Sequence, residues 1–277
     1  MTGIRLALVT LAYNNVEEVR KTLASIALQS VQPDRILVVD SSQPGLKEDI
    51  EKLVLAASAN YVWVQPDGVY PAMNRALDEV ADDCFVWFIN SSDWLAGQDS
   101  VRQVAENLTE EDSWALGGLY RLGDERQPFH PIPANSREFL TLLRSGAIGF
   151  PHPSAVMSRR VIGELGGFDE SFRIAGDYDL ALKCAENFGP PRIIPHMLSV
   201  HVPTGLTSRN KIRHVWEKSV ARRRVLGNVS WVKEVVNLVA IALRQLGFMG
   251  RWSQEIFPFP TPPGFGAEFD AWPDGKA

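Results

Sequence analysis

Apolar residues in the first third of the chain follow two alternating patterns. Short, nearly continuous apolar runs are typical of strands that are buried on both faces of a parallel sheet. Between them, apolar residues recur every three or four positions, as on one face of a helix. The runs predict strands at 4–10, 36–39, 61–64 and 85–89, and the spaced stretches predict helices at 16–29, 47–57 and 71–80. This alternation indicates an α/β fold with a mostly parallel central sheet flanked by helices.

The second half of the chain has a mixed pattern from about residue 113. It predicts a strand-like piece at 115–122 and helices at 137–145, 161–165, 178–187, 211–226 and 231–246. The pair Gly166 and Gly167 ends the helix at 161–165, since glycine readily terminates helices. The chain from residue 257 onward is rich in proline, glycine and aromatic residues and is predicted to be irregular.

Polar side chains gather where each of the first four predicted strands ends. They are Tyr13-Asn14-Asn15, Asp40-Ser41-Ser42, Asp67-Gly68 and Asn90-Ser91-Ser92-Asp93. Ligands of open α/β sheets bind outside the carboxyl ends of the strands. Four polar clusters at four such ends therefore predict a binding site at this edge of the sheet.

Composition and charge narrow the function classes. The 277 residues are 45% hydrophobic and 22% charged, as in an ordinary globular protein, and the net charge of −5 argues against a nucleic-acid partner. The start of the chain lacks a signal-peptide pattern, and five polar residues in 231–250 make that segment too polar to span a bilayer. We therefore expect a cytoplasmic protein in which Cys84 and Cys184 are buried free thiols.

Several ordered segments resemble the inverting family 2 glycosyltransferases of the GT-A fold, above all those of bacterial polysaccharide assembly. The segments are 8–14 (LVTLAYN), 25–30 (SIALQS), 38–42 (VVDSS), 67–76 (DGVYPAMNRA), 88–93 (FINSSD), 166–172 (GGFDESF) and 175–180 (AGDYDL). Each segment alone is weak evidence for the resemblance, whereas the order and spacing of the segments together are specific to this family. The resemblance covers residues 4 to about 209.

The resemblance implies a domain organisation and a reaction. Residues 1–209 would form the GT-A catalytic domain, with a nucleotide-binding half at 1–112 and an acceptor-binding half at 113–209. Residues 210–256 would be a helical extension and 257–277 an irregular tail. The enzyme would move a sugar from a nucleoside diphosphate sugar, with a UDP-sugar favoured, to a hydroxyl of a saccharide or a lipid-linked acceptor.

The resemblance also assigns the two acidic positions that the chemistry needs. Asp177 matches the general base that takes the acceptor proton, although Gly176 replaces the usual preceding glutamate. Asp93 matches the last aspartate of the metal-binding signature and would hold Mn²⁺ or Mg²⁺, with His201 as a further candidate ligand. The alternatives are that Asp177 only caps the helix after it, that Asp93 is a turn aspartate and that His201 is structural.

Further site residues follow from the matched segments. Donor-binding candidates are Thr10, Ala12, Tyr13, Asn14, Asp40, Asp67, Gly68, Asn74, Arg75, Asn90, Ser91 and Ser92, and His152 and Asp179 are expected near the sugar or acceptor. For Tyr13 the alternative is packing in the core, and for Arg75 it is a solvated surface position. The stretch 204–208 resembles one that closes over the phosphates.

The sequence argues against three other classes of nucleotide-binding enzyme and leaves one non-enzymatic alternative open. The chain lacks the glycine-rich motifs of nucleotidyltransferases, dinucleotide dehydrogenases and P-loop kinases. A non-enzymatic partner subunit remains an alternative because the acidic motifs at Asn90–Asp93 and before Asp177 are reduced. Basic residues within 211–224, together with the predicted helix at 231–246, also leave open peripheral contact with the inner face of a membrane.

Overall fold

The computed structural model describes residues 3–122, 129–130, 135–202 and 210–227. Nine strands lie in this part of the chain: β1 (Arg5–Ala12), β2 (Arg35–Asp40), β3 (Asn60–Trp63), β4 (Cys84–Phe88), β5 (Trp94–Leu95), β6 (Trp114–Arg121), β7 (Phe129–His130), β8 (Ala155–Ser158) and β9 (Arg192–His201). The helices are α1 (Val16–Ala27), α2 (Leu46–Ala56), α3 (Val69–Leu77), α4 (Ser100–Asn107), α5 (Ser136–Ser145), α6 (Arg159–Glu164), α7 (Gly176–Phe188) and α8 (Lys211–Leu226).

All nine strands form one sheet in the order β3-β2-β1-β4-β8-β6-β9-β5, with β7 paired to β6. Strands β1 to β4 are parallel to their neighbours among themselves, and β6 pairs in parallel with β9. Strands β5, β7 and β8 pair antiparallel with their neighbours. The parallel strands β1, β2, β3 and β4 therefore end at a common edge.

Apolar layers cover both faces of the sheet. On one face, Leu8 and Trp87 pack with apolar residues of α1, α2 and α4. On the other face, Val9 and Val86 pack with apolar residues of α3, α5, α6 and α7. Successive residues of β1 and β4 thus enter different layers, which explains the continuous apolar runs in these strands.

The seven strands and helices predicted up to residue 89 are all present, with ends that shift by up to three residues. The sequence pattern missed β5, α4, β7, β8 and β9. Strand β5 has two residues, and β9 contains exposed Pro195 and His196, so neither carries a clear strand pattern. The predicted helix at 231–246 and the tail from residue 257 lie outside the described residues.

Helix α7 begins earlier than predicted, which corrects the expected position of Asp177. The helix starts at Gly176, and Ala175 is its N-cap residue. Asp177 therefore lies inside the first turn and does not act as the helix cap. Its position in that turn still favours a negative charge, because the N-terminal N–H groups of a helix carry partial positive charge.

Both cysteines are buried and free, as predicted from their apolar surroundings. In the described part of the chain, no helix has the length and apolar character needed to cross a membrane. The segment 231–250 lies outside that part.

Two polar side chains of α1, together with Gln29 two residues after its end, hold the segment that follows β4. Thr22 Oγ1 donates to the carbonyl oxygen of Asp93 at 2.7 Å, and Ser25 Oγ accepts from Leu95 N–H at 3.2 Å. Gln29 donates to the Gly97 carbonyl oxygen at 2.7 Å and accepts from Val101 N–H at 3.0 Å. Thr22, Ser25 and Gln29 therefore fix the backbone from residue 93 to residue 101.

We predict that Gln29→Leu destabilises the protein, because it leaves the Gly97 carbonyl and the Val101 N–H without their partner. Leaving a buried polar group unpaired costs about 1–3 kcal/mol, so the free energy of unfolding should fall by at least that amount. Urea denaturation measures the change. The control Lys21→Ala, at an exposed position of α1, should change it by less than about 0.5 kcal/mol. Equal effects of the two substitutions would contradict the assigned role of Gln29.

Candidate active site

Side chains after β1 connect the loops that follow β2 and β4. Asn14 N–H donates to Ser42 Oγ at 2.7 Å, and Asn14 Oδ1 accepts from Gln43 N–H at 2.9 Å. Asn15 Nδ2 donates to Ser91 Oγ at 2.6 Å. Three of the four predicted polar clusters therefore meet at the carboxyl edge of the sheet.

The fourth cluster lies on the approach to α3. Asp67 is exposed, and Gly68 is the N-cap residue of α3 with a φ angle of 127°. Residues that carry a side chain rarely adopt a φ angle of this value, which explains why position 68 is a glycine. Neither Asp67 nor Gly68 contacts the other three clusters through the hydrogen bonds of the described residues, so their place in the donor site stays a prediction.

Two buried polar atoms at this edge have no hydrogen-bond partner among the described residues. They are Thr10 Oγ1, near the end of β1, and Asn90 Oδ1, two residues after β4. An unpaired buried polar atom costs free energy, and such atoms are often satisfied by a ligand or by ordered water. Both atoms belong to the predicted donor-binding set, so their unmet hydrogen bonds favour a polar ligand here.

Tyr13 is exposed on the loop after β1, whereas the neighbouring Ala12 is buried. The Tyr13 side chain is 55% exposed, so the alternative that it packs in the core is wrong. An exposed ring at the edge of the sheet leaves an apolar face available for a planar ligand.

Asp40 is fully buried at the end of β2, and both of its oxygens have partners. Oδ1 accepts from Ser42 N–H at 2.9 Å, and Oδ2 accepts from Tyr61 Oη at 2.8 Å. These bonds fix the loop that holds Ser42, which in turn contacts Asn14. The geometry thus gives Asp40 a clear role in positioning the loop, and its predicted contact with the nucleotide stays untested.

Asp93 and His201, the two predicted metal ligands, lie side by side. His201 Nδ1 is 2.8 Å from Asp93 Oδ1, which also accepts from Val202 N–H at 3.1 Å. Burial raises the pKa of Asp93, while the contact with His201 acts in the opposite direction. Strand β9 thus brings a histidine from the end of the sheet to a carboxylate 108 residues earlier in the chain.

These two side chains fit a divalent cation that is shared with a ligand. A carboxylate oxygen and an imidazole nitrogen are suitable ligands for Mn²⁺, and Mg²⁺ is usually bound by one or two carboxylates plus substrate phosphates. The described residues contain no group of three or more acidic, histidine or cysteine side chains that could hold a metal ion. A cation here would therefore need oxygens of a bound diphosphate or water.

An aromatic cluster of Tyr70, Phe88, Phe150, His152 and Phe168 lies between β4 and α7. The His152 ring centroid is 5.5 Å from that of Phe88 and 6.2 Å from that of Phe168. Phe168 also stacks on Tyr70 at 5.9 Å. Burial lowers the pKa of His152 to about 4, so its imidazole is neutral near pH 7. The cluster links the end of β4 to the start of α7.

Asp177 lies at the α7 side of this cluster. Its Oδ1 accepts from Tyr70 Oη at 3.3 Å and from Tyr178 N–H at 2.8 Å. Burial raises the pKa of Asp177 to about 6, although both hydrogen bonds favour the ionised form. A carboxyl group with a pKa closer to neutrality is suited to take a proton.

The ring of Tyr70 also explains Gly176. A Cβ atom at position 176 would lie 2.8 Å from a carbon of the Tyr70 ring, which is too close for a non-bonded contact. The space that the glutamate of the resembled family would need is occupied here by an aromatic ring. Tyr70 was not among the predicted site residues, because its contact with Asp177 spans 107 positions.

Three other predicted site residues are engaged in contacts within the chain. Asn74 makes hydrogen bonds of 2.8–2.9 Å with the backbone N–H and carbonyl of Phe168, and thereby holds the loop before α7. Arg75 pairs with Glu79 at 2.6 Å, on its own helix. Asp179 is 1% exposed and pairs with Lys183 at 2.6 Å. Their contacts support structural roles, and their predicted contacts with substrate stay untested.

Helix α8 contributes two side chains that the sequence pattern did not indicate. Glu217, 1% exposed, accepts from the N–H groups of residues 173, 174 and 175 at 2.8–3.2 Å. Lys218 Nζ donates to the carbonyl oxygens of Gly146 at 3.1 Å and Ile148 at 2.7 Å and lies 4.9 Å from the Tyr178 ring centroid. For Glu217, the only sequence signal is its i,i+4 spacing from Arg213. That spacing indicates a local ion pair and gives no hint of the contact with residues 173–175.

The basic residues of α8 also make contacts within the chain. Arg213 pairs with Glu217, Arg222 donates to the Ser145 carbonyl oxygen, and Arg224 pairs with Asp169 at 2.9 Å. Lys218, Arg222 and Arg224 therefore direct their positive charge at neighbouring segments, and Arg213 pairs within its own helix.

Solved structures with a similar fold are glycosyltransferases. S. aureus TarS in complex with UDP matches with a TM-score of 0.59 and 16% identity, over 88% of this chain and 72% of that chain. A mannosyltransferase from Pyrobaculum calidifontis, in complex with GDP-Man and Mn²⁺, matches with a TM-score of 0.58 and 19% identity, over 89% of this chain and 76% of that chain. At such identities the likeness establishes the fold.

Sequence comparison gives the family. An uncharacterized glycosyltransferase of Mycobacterium tuberculosis, Rv1514c, is 28% identical over 188 residues, which are 65% of this chain and 68% of the relative. Residues 7–166, more than half of the chain, match the profile of Glycosyl transferase family 2. The chain therefore belongs to glycosyl transferase family 2, and it is a glycosyltransferase with the GT-A fold.

Proposed function

We propose that this glycosyltransferase transfers a sugar with inversion from a nucleoside diphosphate sugar to an acceptor hydroxyl, with Asp177 as the general base. The observation that carries the proposal is the Asp177 carboxyl group at the start of α7. Tyr70 and the Tyr178 N–H orient it, and burial raises its pKa to about 6. A general base is most effective when its pKa lies near the working pH.

The transfer step follows from this arrangement. Asp177 takes the proton of the acceptor hydroxyl while the hydroxyl oxygen forms a bond to the anomeric carbon. The bond between that carbon and the diphosphate oxygen breaks on the opposite face, and its electron pair leaves with the diphosphate. Attack opposite the leaving group inverts the anomeric configuration, so a single carboxylate base suffices.

Asp93 and His201 would hold a divalent cation for the departing diphosphate. When bound, the cation supplies positive charge that neutralises the diphosphate. Asp93 Oδ1 and His201 Nδ1 lie 2.8 Å apart, close enough for one cation to contact both, and Thr22 of α1 holds the Asp93 carbonyl oxygen. Mn²⁺ accompanies the nucleotide or nucleotide sugar in two similar structures, the P. calidifontis mannosyltransferase and a glucosyl-3-phosphoglycerate synthase of M. tuberculosis.

The donor would lie along the carboxyl edge of β1, β2 and β4. Exposed Tyr13 offers an apolar face to the base, and Thr10 Oγ1 and Asn90 Oδ1 offer unmet hydrogen bonds. UDP is present in the similar TarS structure, which favours a UDP-sugar as the donor to test first. The acceptor, a saccharide or lipid-linked hydroxyl in polysaccharide or glycolipid assembly, would approach from the side of His152 and Asp177.

A partner subunit without activity is the weaker alternative. The chain retains the paired Asp93 and His201 and an oriented Asp177 carboxyl group, and a subunit that only binds would not require the oriented carboxyl group.

Asp177→Asn should reduce transfer to a small residual rate and leave UDP affinity nearly unchanged, since the amide keeps the shape and cannot take a proton. General-base catalysis contributes about 100- to 10,000-fold, so the rate should fall by at least about 100-fold. Donor consumption measured with a panel of nucleotide sugars and acceptors provides the rate, and calorimetry provides the affinity. Asp82→Asn, at an exposed loop position, is the control. Normal turnover in Asp177→Asn would rule out this choice of base.

The acid limb of the kcat/KM profile should lie near pH 6, because only the ionised Asp177 accepts a proton and its pKa is about 6. Activity should therefore be lost as the pH falls through this value. Tyr70→Phe removes a hydrogen bond that lowers the pKa of Asp177, so the limb should move to higher pH. A limb near pH 4 in both proteins would show that another group controls the rate.

UDP should bind in the presence of Mn²⁺, and Asp93→Asn should weaken this binding. A hydrogen bond or contact to a charged group is worth about 1.5–3 kcal/mol, which corresponds to about a 10- to 150-fold loss of affinity. Isothermal titration calorimetry with and without Mn²⁺ measures it, with Asp99→Asn, an exposed carboxylate on the same segment, as the control. Absence of UDP binding at millimolar concentrations would contradict the proposed donor site.

A further inference from the structure

Glu217 lies on α8, and the proposed base Asp177 lies on α7. Glu217 nevertheless contacts the backbone just before α7. Its carboxylate accepts hydrogen bonds from three consecutive backbone N–H groups, those of Arg173, Ile174 and Ala175. Ala175 is the N-cap residue of α7, and Asp177 follows two residues later. A carboxylate from α8 therefore binds the backbone that leads directly into the turn carrying Asp177.

The ionised form of Glu217 is favoured by its surroundings. Burial alone would raise the pKa of Glu217, but the hydrogen bonds from Arg213 and from the three backbone N–H groups outweigh burial and lower it. Arg213 Nε is 2.7 Å from Glu217 Oε1, and its own side chain is 47% exposed. Charge-assisted hydrogen bonds to backbone N–H groups are stronger than neutral ones, so the segment 173–175 is held firmly.

The next side chain on α8 holds a second loop. Lys218 binds the carbonyl oxygens of Gly146 and Ile148, a few residues before His152, and lies against the ring of Tyr178. Adjacent residues of one helix thus bind the loop before Asp177 and the loop before His152. Helix α8 lies beyond residues 7–166, the part of the chain that the family profile matches.

We infer that Glu217 is a positioning residue for the transfer reaction, which sets the place of the Asp177 carboxyl group by fixing the backbone at 173–175. This inference rests on the proposed role of Asp177. Reaction rates depend steeply on the position of a catalytic group, and a displacement of about 1 Å can cost about 100-fold. Among the described residues, the hydrogen bonds of Glu217 go to Arg213 and to the backbone at 173–175 and to none of the predicted donor-binding residues, so donor binding should be insensitive to its loss.

The test compares Glu217→Gln with Glu217→Asp and with the matched control Glu186→Gln. Glu186 is a carboxylate on α7 that also accepts from an arginine, Arg144 at 2.6 Å, at the far end of the helix. Glu217→Gln should lower kcat by about 10- to 100-fold and leave the donor KM almost unchanged. Glu217→Asp should show an intermediate loss, and Glu186→Gln should behave as the wild type.

A double-mutant cycle with Asp177→Asn separates positioning from general structural support. If Glu217 acts through Asp177, then Glu217→Gln should cause no further loss in the Asp177→Asn background. Hydrogen exchange of the amides at 173–175 should become faster in Glu217→Gln, which tests the contact without any activity. Should Glu217→Gln fail to fold, Glu217→Asp carries the same comparison.

Unchanged kcat in folded Glu217→Gln, or in Glu217→Asp where it is the variant used, would overturn the inference. A full additional loss in the Asp177→Asn background would also overturn it. Failure of the proposed base looks different: Asp177→Asn would retain turnover, while the exchange at 173–175 would still respond to Glu217.

Discussion

Segments that connect strands and helices lack the regular backbone hydrogen bonds of those elements, so other groups must hold them. In this chain, side chains bind backbone groups for this purpose. Gln29 holds the segment after Asp93, Asn74 holds Phe168, and Glu217 holds residues 173–175. The placement of both acidic site residues depends on these contacts, since neither Asp93 nor Asp177 lies within a strand.

The fold brings together groups that are far apart in sequence. One of these groups, the Tyr70 ring, also restricts which residue can occupy position 176. The end of β9 places His201 beside Asp93, and the aromatic cluster joins β4 to α7. Tyr70 orients Asp177 and excludes a side chain at Gly176. The ring of Tyr70 thus occupies the space beside Gly176, and its hydroxyl group contacts Asp177.

Sequence patterns predicted the first seven strands and helices because apolar periodicity reports burial directly. The order of motifs also identified Asp93, His201 and Asp177 as site candidates, and the structure places the first two together. Prediction failed for Tyr70 and Glu217. The partners of Glu217 are backbone N–H groups 42–44 positions away, and a backbone N–H carries no residue identity that a pattern can reveal. Short β5 and the polar β9 were missed because few residues with a clear period define them.

The position of α8 affects how this protein can be recombined with its relatives. The family profile ends at residue 166, yet the helix at 211–226 binds both the loop at 146–148 and the loop at 173–175. Exchanging the first 166 residues between two such enzymes would pair the sheet edge and the loop at 146–148 of one parent with α7 and α8 of the other. Exchanging residues 113–209 without α8 would separate Asp177 from Glu217, which binds the backbone just before α7. A functional chimera therefore has to inherit α7 and α8 from the same parent.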